Sequence, residues 1–247
     1  MRALLLAAGL GLRLRPITNS IPKCLVEING RPLLDYWIEL LSKGGIVDVL
    51  INLHHLPNPV RSYVESCRFP VKISTAYEDT LLGTGGTLLK NRNFFQNTPA
   101  MLVHADNLSS FDVRAFMWRY EKREKGIEIT MMTFDTTEPE ACGIVEVDER
   151  GVVRAFHEKV KNPPGNLANC AVYIVSPSVV DFLASLGKET IDFSTEVLPH
   201  FMGRINTFHN RIYHRDIGTV ESLRAARIEF PAATARQIAD DAGDSLA

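Results

Sequence analysis

The sequence predicts a doubly wound α/β fold with a mixed, mostly parallel central sheet, and three observations carry that expectation. Short apolar runs alternate with amphipathic segments at about 25-residue spacing through the first half, as in successive β-α-β units. The first run, Ala3 to Leu6 and on through Ala8, is apolar without interruption and leads into Gly9 and Gly11. A strand buried on both faces reads this way. The composition, 45% hydrophobic and 23% charged over 247 residues, suits one large α/β domain or two small ones.

Each element follows from its own pattern. A strand is expected at 2–8, then a glycine loop and an irregular proline-bearing stretch at 16–23. A helix follows near Leu33 to Lys43, ended by Gly44-Gly45. "VDVLINL" (47–53) is a second strand, 58–66 a helix, and "VKISTAY" (71–77) a third strand. "AMLVHAD" (100–106) is a fourth strand and ends on a carboxylate. Asp112 reads as the cap of a helix that carries Val113, Phe116, Met117 and Tyr120 on one face. "IEITMMTF" (127–134) is a fifth strand.

The second half reads as hairpins. "GIVEVDERGVVRAFHEK" turns at Glu149-Arg150-Gly151, "LANCAVYIV" adds an apolar strand, and "RINTFHNRIYHRDIG" predicts a second hairpin turning at His209-Asn210. Residues 229–247 suggest a peripheral helix or a frayed tail. There is no internal repeat, and no second catalytic module such as an acetyltransferase is expected.

Several function classes are disfavoured. A net charge of -2 leaves no nucleic-acid footprint. No apolar run approaches the ~20 residues of a membrane span. Cys24, Cys67, Cys142 and Cys170 lie far apart without a C-x-x-C, which argues against structural zinc and a disulfide scaffold and for reduced thiols in a cytoplasmic protein. His54-His55 and His200 lack metal-ligand spacing and read as structural. Met1 to Leu12 has the look of a leader, but Arg13 and Arg15 stand where a small-residue cleavage site belongs.

The loop after the first strand is the first candidate site, because open α/β sheets bind ligands at the carboxyl ends of their strands. Glycines there let backbone N–H groups approach phosphate oxygens. A dinucleotide fingerprint would need glycine at position 14, where Leu14 stands, and the Gly-Lys-Ser/Thr of a P-loop is absent. The pattern is G-x-G-x-R, followed ten residues later by Lys23. Arg13 offers a planar fork for pyrophosphate and Lys23 a point charge able to follow a transferred phosphate. Arg15 reads as a solvated surface charge.

"LAAGLGLRLRPIT…PKCLVEINGRPLLDY" resembles the start of the sugar-1-phosphate nucleotidylyltransferase family. "EDTLLGTGGTLLKN", "VHADNLSSFD", "GIVEVDERGVVRAFHEKVKNPPGNLANCAVYIVSP", "DFSTEVLP" and "RDIGTVESLRAA" resemble later family segments in family order, over roughly residues 1–228. The resemblance implies a Rossmann-like three-layer sandwich with hairpin insertions in its second half. It implies a nucleotide-binding part at about 1–134 and a sugar-phosphate-binding part at about 135–228, with 229–247 outside. It also implies Mg²⁺-dependent transfer of a nucleotidyl group from a nucleoside triphosphate to a sugar 1-phosphate, in a cytoplasmic enzyme and a homodimer.

In that resemblance Asp106 and Asp216 hold the metal. Arg13 stabilises leaving pyrophosphate, and Lys23 the α-phosphate. Leu6, Ala8, Gly9, Gly11 and Gly83 line the nucleotide. Lys159 holds the sugar phosphate, while Gly143, Glu158 and Asn169 read the sugar.

The chain departs from the family pattern at five places. Leu12 replaces Thr or Ser, His104-Ala105 replaces Asn-Gly, Cys170 replaces Ala, Ala171 replaces Gly, and Val160 replaces the proline of E-K-P. These bear on the substrate more than on catalysis. His104 reads as a packing residue. The favoured substrates are GTP with mannose- or heptose-1-phosphate. The alternatives are dTDP- or UDP-sugar synthesis, CTP-dependent transfer to a non-sugar phosphate, and a non-catalytic regulatory subunit of the same fold.

Overall fold

The computed structural model describes residues 1–244, and side chains of residues 1–235. Strand β1 (Arg2–Leu6) opens the chain. A ribbon of β2 (Glu27–Ile28) and β3 (Arg31–Pro32) precedes α1 (Leu33–Lys43), β4 (Asp48–Leu53), α2 (Pro57–Ser66) and β5 (Lys72–Tyr77). Then come α3 (Gly83–Lys90), α4 (Arg92–Phe95), β6 (Ala100–His104), β7 (Asn107–Ser110), α5 (Val113–Glu121) and β8 (Ile129–Asp135). The second half holds β9 (Gly143–Val147), β10 (Val153–Glu158), β11 (Leu167–Val175), α6 (Pro177–Ser185), β12 (Ile205–His209), β13 (Tyr213–Asp216) and α7 (Val220–Asp244). Helix α7 runs across position 228, and residues 245–247 of the expected tail lie outside the described residues.

The nine-stranded sheet has the order β10-β9-β11-β6-β1-β4-β5, with β8 pairing β11 and β12. Strands β1, β4, β5, β6, β8, β9 and β12 run one way, and β10 and β11 the other. The sheet is therefore mixed and mostly parallel, as expected. Period-two alternation splits each strand between two layers. Ala3, Leu5, Val49, Ile51, Met101 and Val103 face Trp37, Ile38, Val60 and Phe116 of α1, α2 and α5. Leu4, Leu50 and Leu102 face Leu88, Val179, Leu183 and Phe193 on the opposite side.

The helix boundaries have local causes. Gly44 follows α1 and Gly45 has φ +88°, a conformation that ends helices readily. The Asp112 side chain accepts from Ala115 N and starts α5. The expected hairpin of β9 and β10 forms and is joined to the main sheet at Ala168 opposite Ile144.

The second expected hairpin does not form. β12 pairs in parallel with β8, while β13 pairs antiparallel with β7 in a separate two-stranded sheet. Buried Asn210 makes the change of direction: its N–H donates to Thr133 O, Nδ2 to Tyr213 O, and Oδ1 accepts from Ile212 N. Two alternating segments joined by a short link look alike whether they pair with each other or with two different strands.

Candidate functional site

β1 lies between β4 and β6, so the chain order reverses there and a crevice opens beyond the ends of β1 and β6. A cavity of about 240 Å³ sits in that crevice. Leu6, Ala8, Gly9, Lys23, Gly83, His104 and Asp106 line it. Asn52 shapes its floor by accepting from Ala7 N at 2.7 Å. Asn52 Nδ2 and Thr87 Oγ1 both donate to Glu78 Oε1, at 3.1 and 2.7 Å. Asn52, Glu78 and Thr87 are buried and line the cavity, and sequence reasoning did not single them out. The available signal was a polar Asn52 inside an otherwise apolar buried strand.

The charged end of the cavity gathers residues far apart in sequence. Lys23 sits on a tight turn (Lys23–Leu25) behind Pro22, and its side chain is buried. Its Nζ lies 2.9 Å from Asp106 Oδ2 and 3.4 Å from Asp216 Oδ1. Arg13 Nη2 lies 3.3 Å from Asp216 Oδ2. Asp106 follows the end of β6 and Asp216 ends β13, and Ile217 N donates to Asp106 O. Burial pushes the Asp106 carboxyl up, but the Lys23 ammonium, His104 and hydrogen bonds outweigh it and hold it below the usual carboxylate range.

Two carboxylates thus share one cationic atom. Among the described residues, no group of three or more Cys, His, Asp or Glu is gathered to hold a metal. The donor set fits a hard cation that draws its other ligands from phosphate oxygens and water.

Gly218 permits this approach. A Cβ there would stand 2.5 Å from Asp216 Oδ2 and 2.6 Å from Arg13 Nη2. Both atoms are side-chain ends that can swing away, so Gly218→Ala should cost the fold less than about 1 kcal/mol. Because it displaces Asp216 and Arg13, which the resemblance sets at the metal and the phosphates, it should lower nucleotidyl transfer by about tenfold or more. Denaturant titration beside a rate assay checks this; a fully active Gly218→Ala variant refutes it.

Gly11 does not line the cavity. At φ +62° it packs against Thr18, whose Oγ1 donates to Gly11 O at 2.7 Å. Leu12 is 54% exposed. His54 bonds Glu78 O, His55 bonds Thr18 O, and His200 packs on Phe182, so each has a structural partner. All four cysteines are free thiols.

The motif "LGTGG" has a role the sequence did not reveal. Gly85 N and Gly86 N both donate to Ile191 O, and Ile191 N donates to Leu82 O. The start of α3 is therefore held by the segment before a π-helical turn (Phe193–Val197). Gly83, at φ +71°, adds a close backbone approach to the same Ile191 carbonyl.

The second cluster lies at the β9–β10 hairpin. Gly143 pairs with Glu158, and Glu158 Oε2 lies 2.7 Å from where a Gly143 Cβ would stand. Asn169 Nδ2 donates to Tyr173 OH, and Asn169 Oδ1 accepts from Ala171 N at 2.9 Å. Ala171 has φ +54°, a left-handed conformation that favours glycine, at the irregularity in β11. Lys159 is largely exposed and lies 3.5 Å from Glu158, outside the cavity lining. Burial raises the Cys142 thiol, and the hydrogen bond it shares with Thr136 Oγ1 opposes that rise.

A family profile described as nucleotidyl transferase matches residues 2–231. The chain belongs to that family. It is 31% identical over 217 residues to a UTP–glucose-1-phosphate uridylyltransferase of Synechocystis, covering 81% of this chain and 54% of that protein. It is 32% identical over 200 residues to mannose-1-phosphate guanylyltransferase 1 of Arabidopsis thaliana, covering 77% and 55%. The chain spans about half the length of these curated relatives. The solved structure of HddC from Yersinia pseudotuberculosis superposes with a TM-score of 0.77 at 22% identity, over 93% of this chain and 99% of that one. At that identity the likeness shows the fold alone.

In this nucleotidyl transferase two histidines near the cavity are depressed below the usual imidazole range. Burial lowers His104, and lowers His214 to about 3. The unfolded chain takes up those protons first, near pH 6.5, so the stability of the neutral state is present above that pH and lost as pH falls. Below pH 6.5 and down toward 3, the metal-free protein should lose about 1.4 kcal/mol per pH unit for His214. Urea titrations at pH 7, 6 and 5 measure it, and a flat stability profile contradicts it. Among the described residues no helix is long and apolar enough to cross a membrane.

Proposed function

We propose that this nucleotidyl transferase moves a nucleotidyl group from a nucleoside triphosphate to a sugar 1-phosphate. The observation that carries the reading is the convergence of Lys23, Asp106 and Asp216 at one end of the cavity. A sugar-phosphate oxygen attacks the α-phosphorus in line, the new O–P bond forms, the bond to the β-phosphate breaks, and pyrophosphate departs. Positioning and charge neutralisation dominate such a step.

Mg²⁺, held by Asp106 and Asp216, would supply charge neutralisation on the phosphate oxygens. Lys23 faces the α-phosphate, and Arg13 the departing pyrophosphate. Leu6, Ala8, Gly9 and Gly83 form the nucleotide wall within residues 1–134. Gly143, Glu158, Asn169 and Lys159 serve the sugar phosphate within 135–228. Gly11, which packs on Thr18 outside the cavity lining, belongs to the same loop.

Relatives named as guanylyltransferases and as a uridylyltransferase support this class of substrate. GTP with mannose- or heptose-1-phosphate is the first pair to assay, followed by the thymidylyl and uridylyl donors and CTP with a non-sugar phosphate. Free thiols support a cytoplasmic setting, and a homodimer belongs to the same proposal. The test is pyrophosphate release with Mg²⁺ across the four triphosphates and a panel of sugar phosphates. Release with one pair supports the enzyme; silence across the panel, with nucleotide still bound, favours the non-catalytic reading.

A further inference from the structure

Asp106 and Asp216 are brought together by the β7–β13 ribbon, whose Leu108 and Tyr213 also pack with Ile217 in the apolar cluster between α1 and α7. β7 and β13 form a two-stranded sheet separate from the main one, with Asn107 opposite Asp216 and Ser109 opposite His214. Isolated two-stranded ribbons are marginal, and a one-residue slip turns every side chain to the other face. A slip of β13 would put Arg215 or Ile217 in the place of Asp216. Burial of Leu108 supplies part of the register on one face, and the opposite face, which carries Asp216, has a determinant of its own.

β7 is fixed to the core at Asn107, whose carbonyl accepts from Trp37 Nε1 at 2.7 Å and whose Nδ2 donates to Cys170 O at 3.1 Å. β13 is gripped from outside by α7, where Arg215 makes two bonds to Glu229 and Tyr213 packs on Phe230 at 5.4 Å. On the inner face, His214 packs on Phe134 of β8 at 4.5 Å and shares a 2.5 Å hydrogen bond, through Nδ1, with Ser109 Oγ. Ser109 is buried, and neither residue lines the cavity. Their bond is a side-chain link on the inner face between an anchored strand and the strand that delivers Asp216, beside the backbone bond from Ile217 N to Asp106 O.

We propose that Ser109 and His214 are positioning residues that set the register of the β7–β13 ribbon and so the placement of Asp216 beside Asp106. The proposal deepens the functional reading above and rests on it. Neither residue touches substrate. Each acts through the strand it holds, two residues along the ribbon from the Asp216–Asn107 pair.

The informative variant is the double substitution Ser109→Ala with His214→Phe. Phe keeps a ring against Phe134, and removing both hydrogen-bond partners together leaves no buried polar group unpaired, so the fold should persist. Mn²⁺ alone is the probe, titrated into the purified chain and read as loss of the free-ion EPR signal. Asp106→Asn is the control and should abolish binding. Removal of a partner that orients a metal ligand changes affinity or activity by about 10–100-fold. The double variant should therefore bind Mn²⁺ about tenfold more weakly and lose about tenfold in kcat, with KM for the sugar phosphate unchanged. His214→Asn, which can still meet Ser109 Oγ, should recover part of the Mn²⁺ affinity.

Parental Mn²⁺ affinity and kcat in a folded double variant would overturn the proposal. So would losses that track unfolding measured by near-ultraviolet circular dichroism, or Mn²⁺ binding that survives Asp106→Asn. Mn²⁺ binding needs neither nucleotide nor sugar phosphate. A parent chain that binds Mn²⁺ through Asp106 yet never releases pyrophosphate therefore sinks the functional reading and leaves the ribbon result to stand on the metal titration.

Discussion

Asp106→Asn should reduce pyrophosphate release by about a thousandfold or more, because a bound metal supplies several kcal/mol of charge stabilisation and each 1.36 kcal/mol is tenfold in rate. The substitution keeps the shape of the side chain and removes its charge. It takes away one of the two carboxylates that converge on Lys23 Nζ, leaving Asp216 at 3.4 Å as the ammonium's remaining carboxylate contact in the site. The cost in stability is set by two opposing effects. Lys23 is 6% exposed, so losing its nearest counter-ion matters. The Asp106 side chain is 38% exposed, so water screens much of the interaction. A loss of about 1 kcal/mol is the expected balance, too little to unfold a domain of ordinary stability. Kinetics and denaturant titration on the same preparation separate the two. A folded Asp106→Asn enzyme with parental turnover would remove the metal pair from the proposed mechanism.

How far these features could be read beforehand depended on where their partners lie. Ala3–Leu5, Val49–Ile51 and Ala100–Val103 are buried on both sides, so unbroken apolar runs revealed them and with them the parallel part of the sheet. Asp106 was marked because it ends such a run. Asp216 was marked only through resemblance, since nothing near it in sequence tells that β13 leaves the β12 line to pair with β7. The same blindness produced the false hairpin at His209-Asn210. It also hid Ser109–His214, a contact between positions 105 residues apart. Gly11 shows a different limit: a glycine before Arg13 suggests phosphate approach, yet its left-handed φ and the Thr18 side chain explain its presence without a ligand. Ala171 sits in a conformation where glycine would be unstrained, and nothing in the structure explains the choice of alanine.

Gly86→Ala should be among the most damaging single-methyl additions to the fold. An added Cβ would stand 2.1 Å from the Glu189 carbonyl oxygen and 3.1 Å from Leu82 Cβ. The obstructing atom is backbone, so no rotamer change relieves it, unlike the side-chain ends that face Gly218. Helix α3 must move away from residues 189–191, and the bonds from Gly85 N and Gly86 N to Ile191 O, at 3.0 and 3.3 Å, lengthen or break. Overpacking costs about 1–3 kcal/mol and each lost hydrogen bond about 1. Alanine's better helix propensity returns only about 1 kcal/mol. A net loss of about 2–4 kcal/mol follows, a large share of the stability of a typical domain. For stability alone, Gly9→Ala is the matched control, since nothing lies within 4 Å of a Cβ there. Gly83, Thr84 and Thr87 all line the cavity, so the displaced helix should also weaken nucleotide binding in whatever fraction remains folded. Urea titration with and without the nucleoside triphosphate that the pyrophosphate assay selects measures both effects. A Gly86→Ala variant within about 1 kcal/mol of the parent would mean that the 189–191 segment yields easily, and that the LGTGG glycines are not required for close packing against it.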